Sequence, residues 1–175
     1  MKDYIHPDQL SIDPQQLDLS LQIAPSLNDD QLGTEAEWRM IFSRWQTLLL
    51  QEYDLEDIAL PWELTLKFTD DREIEELNQR FRHRHQPTDV LAFASLEVDM
   101  PLIEGQPTYL GDIVVSVETA DRQARAQNWQ LPQELLWLAS HGFLHLLGWD
   151  HPDEPSLQIM WDIQELLMAS LRPTR

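Results

Sequence analysis

Leu17, Leu19, Leu21 and Ile23 alternate with Asp18, Ser20 and Gln22. A period of two puts one set on each face of a pleated chain, so this stretch predicts a half-buried strand. After the turn residues between Pro25 and Gly33 the period changes. Trp38, Ile41, Phe42, Trp45, Leu48 and Leu49 recur at helical spacing as far as Tyr53, and Thr34 with Glu37 makes a capping box in front of them. Trp62, Leu64, Leu66 and Phe68 return to alternation and predict a second strand. Asp70 or Asp71 caps a helix carrying Ile74, Leu77 and Phe81, and Pro87 marks a break after it. Residues 88–96 and 110–117 predict a third and a fourth strand across a loop at 99–108, the fourth apolar enough to be central. Residues 118–128 predict a polar helix with Ala120, Ala124 and Trp129 on its apolar side. Pro132 opens an apolar helix, and Leu157, Met160, Trp161, Ile163, Leu166, Leu167 and Leu171 form a last helix after Pro155.

The order β-α-β-α-β-β-α-α-α predicts an α+β fold: a small mixed four-stranded sheet packed with about five helices, covered mainly on one face. Residues 1–15 are polar, with Pro7 and Pro14, and predict a loosely held extension. Residues 16–175 are then a single domain.

The apolar helix carries the chemistry. His141 and His145 are four residues apart, which puts both rings on one helical face about one turn from each other. Leu135, Leu136, Trp137, Leu138, Ala139, Phe143, Leu144, Leu146 and Leu147 leave this helix little polar surface, so it belongs at the buried centre of the fold. Gly148 follows where a left-handed cap ends a helix, and His151 lies just beyond the turn. Helix and loop can therefore bring three imidazoles together, the ligand set of a zinc site whose fourth position is left to water. Spacings of four and ten residues are also those of the long zinc-protease motif, a zincin-like arrangement. The general-base Glu of that motif is replaced by Gly142, which argues against peptide hydrolysis.

Charge narrows the partners. The net charge of −19 opposes any general electrostatic grip on nucleic acid. Arg80, Arg82 and Arg84, interleaved with His83 and His85, nevertheless form a local basic cluster, read either as a phosphate-binding patch or as a solvated loop. There is no cysteine, so disulfides and thiolate metal sites are excluded, in keeping with a reducing cytoplasm. No signal peptide and no membrane span is expected.

His141-Gly-Phe-Leu-His145-Leu-Leu-Gly-Trp-Asp-His151 resembles the His-Gly-x-Leu-His-Leu-x-Gly-Tyr-Asp-His signature of the YbeY family of rRNA-maturation endoribonucleases. Leu77 to Arg82, Pro87 to Phe93 and Leu110 to Ser116 resemble the family's other segments in the same order, so the resemblance covers about residues 16–172. It implies a metal-dependent endoribonuclease for single-stranded RNA in small-subunit ribosomal RNA processing and ribosome quality control. Ribosomal small-subunit proteins or an assembly GTPase would be its partners. It also implies one Zn²⁺ per chain on His141, His145 and His151, and a functional role for Arg82. Trp149 stands where the signature has Tyr, Ala92 is the alternative to Ser, and Ala94 replaces a frequent Pro.

Three neutral ligands would leave the ion its full charge and lower the pKa of its water toward about 7. Arg82 would hold phosphate oxygens, with Arg80, Arg84, His83 and His85 along the backbone; a structural ion pair is the other reading of Arg82. Asp150 and Asp112 are candidates to orient the histidine rings, each with a plain turn-closing alternative. Thr88 and Asp89 read as turn residues opening the third strand. Two rival functions stay open: a zinc peptidase using another acid, and a non-catalytic assembly factor whose metal only ties loop to helix.

Overall fold

The computed structural model describes residues 16–28, 30–97 and 106–172. The expected extension at 1–15, most of the loop at 99–108 and residues 173–175 lie outside them. Strands β1 (Leu17–Ile23), β2 (Trp62–Thr69), β3 (Val90–Ala94) and β4 (Thr108–Ser116) and helices α1 (Glu35–Glu52), α2 (Asp71–Arg82), α3 (Val117–Ala126), α4 (Leu131–Leu146) and α5 (Glu154–Ser170) follow in the order β1-α1-β2-α2-β3-β4-α3-α4-α5. The sheet order is β1-β2-β4-β3. β1 and β4 run parallel to β2, and β3 runs antiparallel to β4. The fold is the expected α+β arrangement with a mixed sheet. No helix among the described residues is long and apolar enough to cross a membrane.

Local chemistry sets the boundaries. Thr34 and Glu37 form the capping box of α1, and Asp70, not Asp71, caps α2 by accepting from the Glu73 N–H. Asp71 instead accepts from the hydroxyls of Ser116 and Thr119 and from Arg122, joining α2 to α3. The third strand is shorter than its apolar run, because residues 95–97 turn into a 3₁₀ helix. The fourth begins two residues earlier than expected, where the Thr108 N–H finds the Pro61 carbonyl. Pro132 occupies the second position of α4, since the helix starts at Leu131.

One face of the sheet carries the main core. Trp62, Leu64, Leu66 and Phe68 of β2 point into it and are fully buried or nearly so, with Trp38, Phe42 and Trp45 from α1 and Phe143 from α4. The Phe143 ring lies 5.0 Å from Phe42 and 6.3 Å from Trp62. Each buried aromatic contributes about 1.5–3 kcal/mol, and a ring pair about 0.5–1.5 more. α4 is thus anchored through the face opposite its histidines. The other face is covered in part by α2, whose Ile74 packs on Leu91 and Val114. Along β1 it is open, and Asp18, Ser20 and Gln22 are exposed.

α4 comes very close to β4. A Cβ on Gly142 would lie 2.6 Å from the Cγ2 atom of Ile113. From Trp137 to Leu147, only Trp137, His141 and His145 are not buried. These three share the outward stripe of the helix at spacing of four.

Candidate metal centre

The end of α4 builds the turn that the centre needs. The Gly148 N–H bonds the His145 carbonyl at 3.1 Å and the Trp149 N–H bonds the Leu144 carbonyl at 3.0 Å. Gly148 has φ 96°, where a side chain would be strained. This pair of bonds with a left-handed glycine is a Schellman motif, and it sends the chain back over the helix end. His151 then meets the other two rings, with centroids 5.2 Å from His141 and 5.1 Å from His145. The His141 and His145 centroids are 4.7 Å apart. One nitrogen from each of the three lies within 4.8 Å of the other two.

The donor set fits a tetrahedral metal. Zn–N bonds of the usual length, opened to the tetrahedral angle, separate two nitrogens by about 3.3 Å. Nε2 of His141 and Nε2 of His145 are 3.1 Å apart. Burial also favours the neutral form of the two helical rings. Burial lowers the pKa of His145 to about 4, with the nearby His141, His151 and Arg82 acting in the same direction and Asp150 opposing. Burial lowers His141 too, against a hydrogen bond to the Gln164 Oε1 that favours the charged form. Neutral imidazoles are what a metal requires.

Of the residues expected around the ligands, Asp150 closes the turn, its Oδ1 accepting from the His151 N–H at 2.8 Å. It acts on His145 only through its charge. Asp112 is a correction: it does not reach the histidines. It is in register with Thr65 and Phe93, and the next residue, Ile113, is the one that packs against Gly142. Alternation along β4 therefore puts Asp112 on the opposite face of the sheet. There it accepts from the Tyr109 hydroxyl at 2.7 Å and lines a groove with Lys67, Leu77 and Phe81.

The partner that sequence reasoning missed is Gln164 of α5. It is fully buried, and its Oε1 lies 3.1 Å from Nδ1 of His141. Its Nε2 donates to the Trp137 carbonyl at 3.0 Å and to the Ser140 hydroxyl at 3.3 Å. Asp89 does more than open a strand. It accepts from the Val90 N–H and from Gln123, and its charge raises the pKa of both His141 and Glu134.

The basic cluster ends α2. Arg80 and Arg82 lie in its last turn, and His83 caps it at φ 58° in the left-handed region. Among the described residues Arg80, Arg82 and Arg84 form no ion pair, whereas Arg39, Arg72, Arg122 and Arg125 are all paired with acids. The Arg80 guanidinium lies 5.2 Å from the Phe81 ring centroid. His85 faces Gln79 at 3.1 Å and Glu75 at 3.5 Å. Arg82 is exposed, and its charge reaches His145.

Residues 24–172 match the family model described as Endoribonuclease YbeY. The chain belongs to the YbeY family. A Synechocystis protein named Endoribonuclease YbeY is 49% identical over 158 residues, covering 88% of this chain and 86% of its own. A Cyanothece protein of the same name is 49% identical over 160 residues, covering 89% and 93%. A solution structure of a Thermotoga maritima protein superposes with a TM-score of 0.53 at 25% identity, covering 86% of this chain and 88% of that one.

Trp149, in place of the signature's Tyr, sets its ring edge-on to Tyr53 at 5.4 Å. The family's hydroxyl at that position is absent, and no role of it passes to this YbeY chain.

Proposed function

We propose that this protein is a Zn²⁺-dependent endoribonuclease that cuts single-stranded RNA, with small-subunit ribosomal RNA as substrate and ribosome quality control as its setting. The observation that carries the reading is the convergence of three imidazoles within electrostatic reach of an arginine that no acid pairs among the described residues. The named activity of the relatives supports it.

His141, His145 and His151 hold the ion. When bound, it supplies a Lewis acid and draws water toward ionisation near neutral pH. Arg82 holds the phosphate oxygens on which charge builds up, and a guanidinium keeps its own charge throughout. Arg80 and Arg84 meet the flanking backbone, with His83 and His85 beside them. Gln133, Trp137, His141 and His145 follow one stripe of α4, and the first two line a cleft of about 770 Å³ with Trp129 and Trp161. A strand leaving the metal centre along this stripe stacks its bases on the indoles, an attraction that needs no positive charge. Cytoplasmic ribosomal small-subunit proteins or an assembly GTPase deliver the substrate.

Peptide hydrolysis is disfavoured for a structural reason. Position 142, which holds the general base in the protease motif, faces Ile113 and has no room even for a Cβ. The test is cleavage of a labelled single-stranded RNA by the wild-type protein and by His141→Ala purified in parallel. Cleavage by wild type alone is expected. Equal cleavage, or none from either, would leave the non-catalytic assembly factor as the better reading. Arg82→Ala should keep its metal and lose about 100-fold in rate, the scale of a lost charge-stabilising donor.

A further inference from the structure

The two ends of a glutamine amide have the same shape and opposite chemistry. At Gln164 the surroundings decide between them. The end facing the Trp137 carbonyl at 3.0 Å must be the amino group, because a carbonyl only accepts. The Ser140 hydroxyl already donates to that same carbonyl at 2.8 Å, so its oxygen is free to take the second N–H of the amide. Both amide hydrogens are then spent on α4. The Oε1 atom is left facing Nδ1 of His141 at 3.1 Å, and it can only accept.

A neutral imidazole has one N–H and one lone pair. If Nδ1 carries the hydrogen, the lone pair is on Nε2. That is the atom 3.1 Å from Nε2 of His145, at the centre of the triad. We propose that Gln164 is a positioning residue: its amide, oriented by Trp137 and Ser140, holds His141 as the Nδ1–H tautomer and so turns the Nε2 lone pair toward the metal. The proposal rests on the reading of the triad as a metal site.

The choice of an amide over a carboxylate has a further effect. Metal-bound histidines commonly donate to a carboxylate, which adds negative charge to the ligand set. Gln164 is neutral and adds no negative charge to the ligand set, so the centre keeps more of the charge of its ion for substrate. A glutamate at this position would keep the acceptor for His141 but turn its other oxygen against the Trp137 carbonyl.

This makes the conservative variant the discriminating one. Nitrogen-15 NMR on metal-free protein reads the His141 tautomer directly, and competition with a chromophoric chelator reads Zn²⁺ affinity. Gln164→Leu should lose the Nδ1–H preference at His141, leave the His145 ring signals unchanged, and weaken Zn²⁺ binding by about 10- to 100-fold. Gln164→Glu should keep the tautomer and bind Zn²⁺ within a few-fold of wild type, while melting at a lower temperature. Retention of both tautomer and affinity in Gln164→Leu would overturn the proposal. So would an equal loss of affinity in both variants that tracks their loss of stability, because Gln164 would then be only a tie between α4 and α5. If wild type held the Nδ1–H tautomer but bound no Zn²⁺, the metal reading itself would fail, an outcome distinct from either.

Discussion

Gly142→Ala tests the packing on which the centre stands. Alanine is the better helix former by about 1 kcal/mol, so on propensity alone the variant should be more stable. The contact surface says otherwise. The added Cβ would stand 2.6 Å from Cγ2 and 3.2 Å from Cγ1 of Ile113. Apolar carbons settle at about 3.5–4.0 Å, so roughly 1 Å must be found. Ile113 is fully buried and held in register between Leu66 and Ala92 on the neighbouring strands, so it has little room to retreat. Overpacking of this kind costs about 1–3 kcal/mol. Set against the helical gain, the net loss should be about 1 kcal/mol. Urea unfolding of the metal-free protein reads this as a midpoint lowered by about 0.5 M at unchanged slope. If α4 lifts instead, it carries His141 toward α5 and Gln164, and Zn²⁺ affinity falls with stability. A variant about 1 kcal/mol more stable than wild type, with unchanged Zn²⁺ affinity, would refute the reasoning.

Glu134 is buried at the start of α4, and burial, helped by the charge of Asp89, raises its pKa to about 6. A carboxyl raised from 4.5 in the unfolded chain binds more protons when folded, so stability is lost as pH rises through 6. Glu134→Gln should therefore gain at most about 2 kcal/mol over wild type at pH 8 and nothing below pH 4.5, measured by urea unfolding at both. His145 has the opposite sign. Its pKa falls from 6.5 to about 4, so in the metal-free protein its contribution disappears as pH drops through that window, and His145→Asn should flatten the acid side of the stability profile. Saturating Zn²⁺, at a thousand times its dissociation constant, should stabilise wild type by about 4 kcal/mol in thermal unfolding and His151→Ala far less. Trp161 is 43% exposed, so Trp161→Ala should fold normally and bind a short single-stranded oligonucleotide more weakly, by about 1–3 kcal/mol in fluorescence titration.

What could be read from the chain depended on how local each feature is. The capping box at Thr34 and Glu37 and the Schellman turn at Gly148 involve residues no more than five apart, and both stand where their spacing put them. The three histidines belong to the same class, since one helix and its cap bring them together. Asp112 fails for the opposite reason. Ile113, Val114 and Val115 form a continuous apolar run that hides the alternation, and β4 also slips register near Leu64. Which face an aspartate takes there depends on how α4 packs, and no neighbouring residue records it. Gln164 is 23 residues from His141 on another helix, with nothing in its own segment to distinguish it from a buried amide of any kind.

The charge pattern becomes intelligible only when position and pairing are put together. The chain holds 31 acidic residues against 12 lysines and arginines. Acids capture Arg39, Lys67, Arg72, Arg122 and Arg125, as Asp18 and Glu35 do Arg39 and Asp71 does Arg122. Arg80, Arg82 and Arg84, at and just beyond the end of α2, form no ion pair among the described residues, nor do Arg44 and Arg172. After Arg82 the left-handed His83 turns the chain, and the Asn78 side chain donates to the Gln86 carbonyl at 2.8 Å and pins the returning loop. Arg82 ends α2, about three turns from its acidic first turn at Asp71 and Glu73, and its charge reaches His145. On an acidic surface, a cluster of three uncaptured arginines draws polyanion to the side of the candidate metal centre, where the charge of Arg82 is felt at His145. Selectivity for a delivered strand over bulk RNA follows from that contrast, and it weakens as salt screens the repulsion over a Debye length of about 10 Å at 0.1 M. Raising salt should therefore lower affinity for a strand seated at the centre by less than it would for a uniformly basic nuclease, because the attraction and the repulsion being screened have opposite signs.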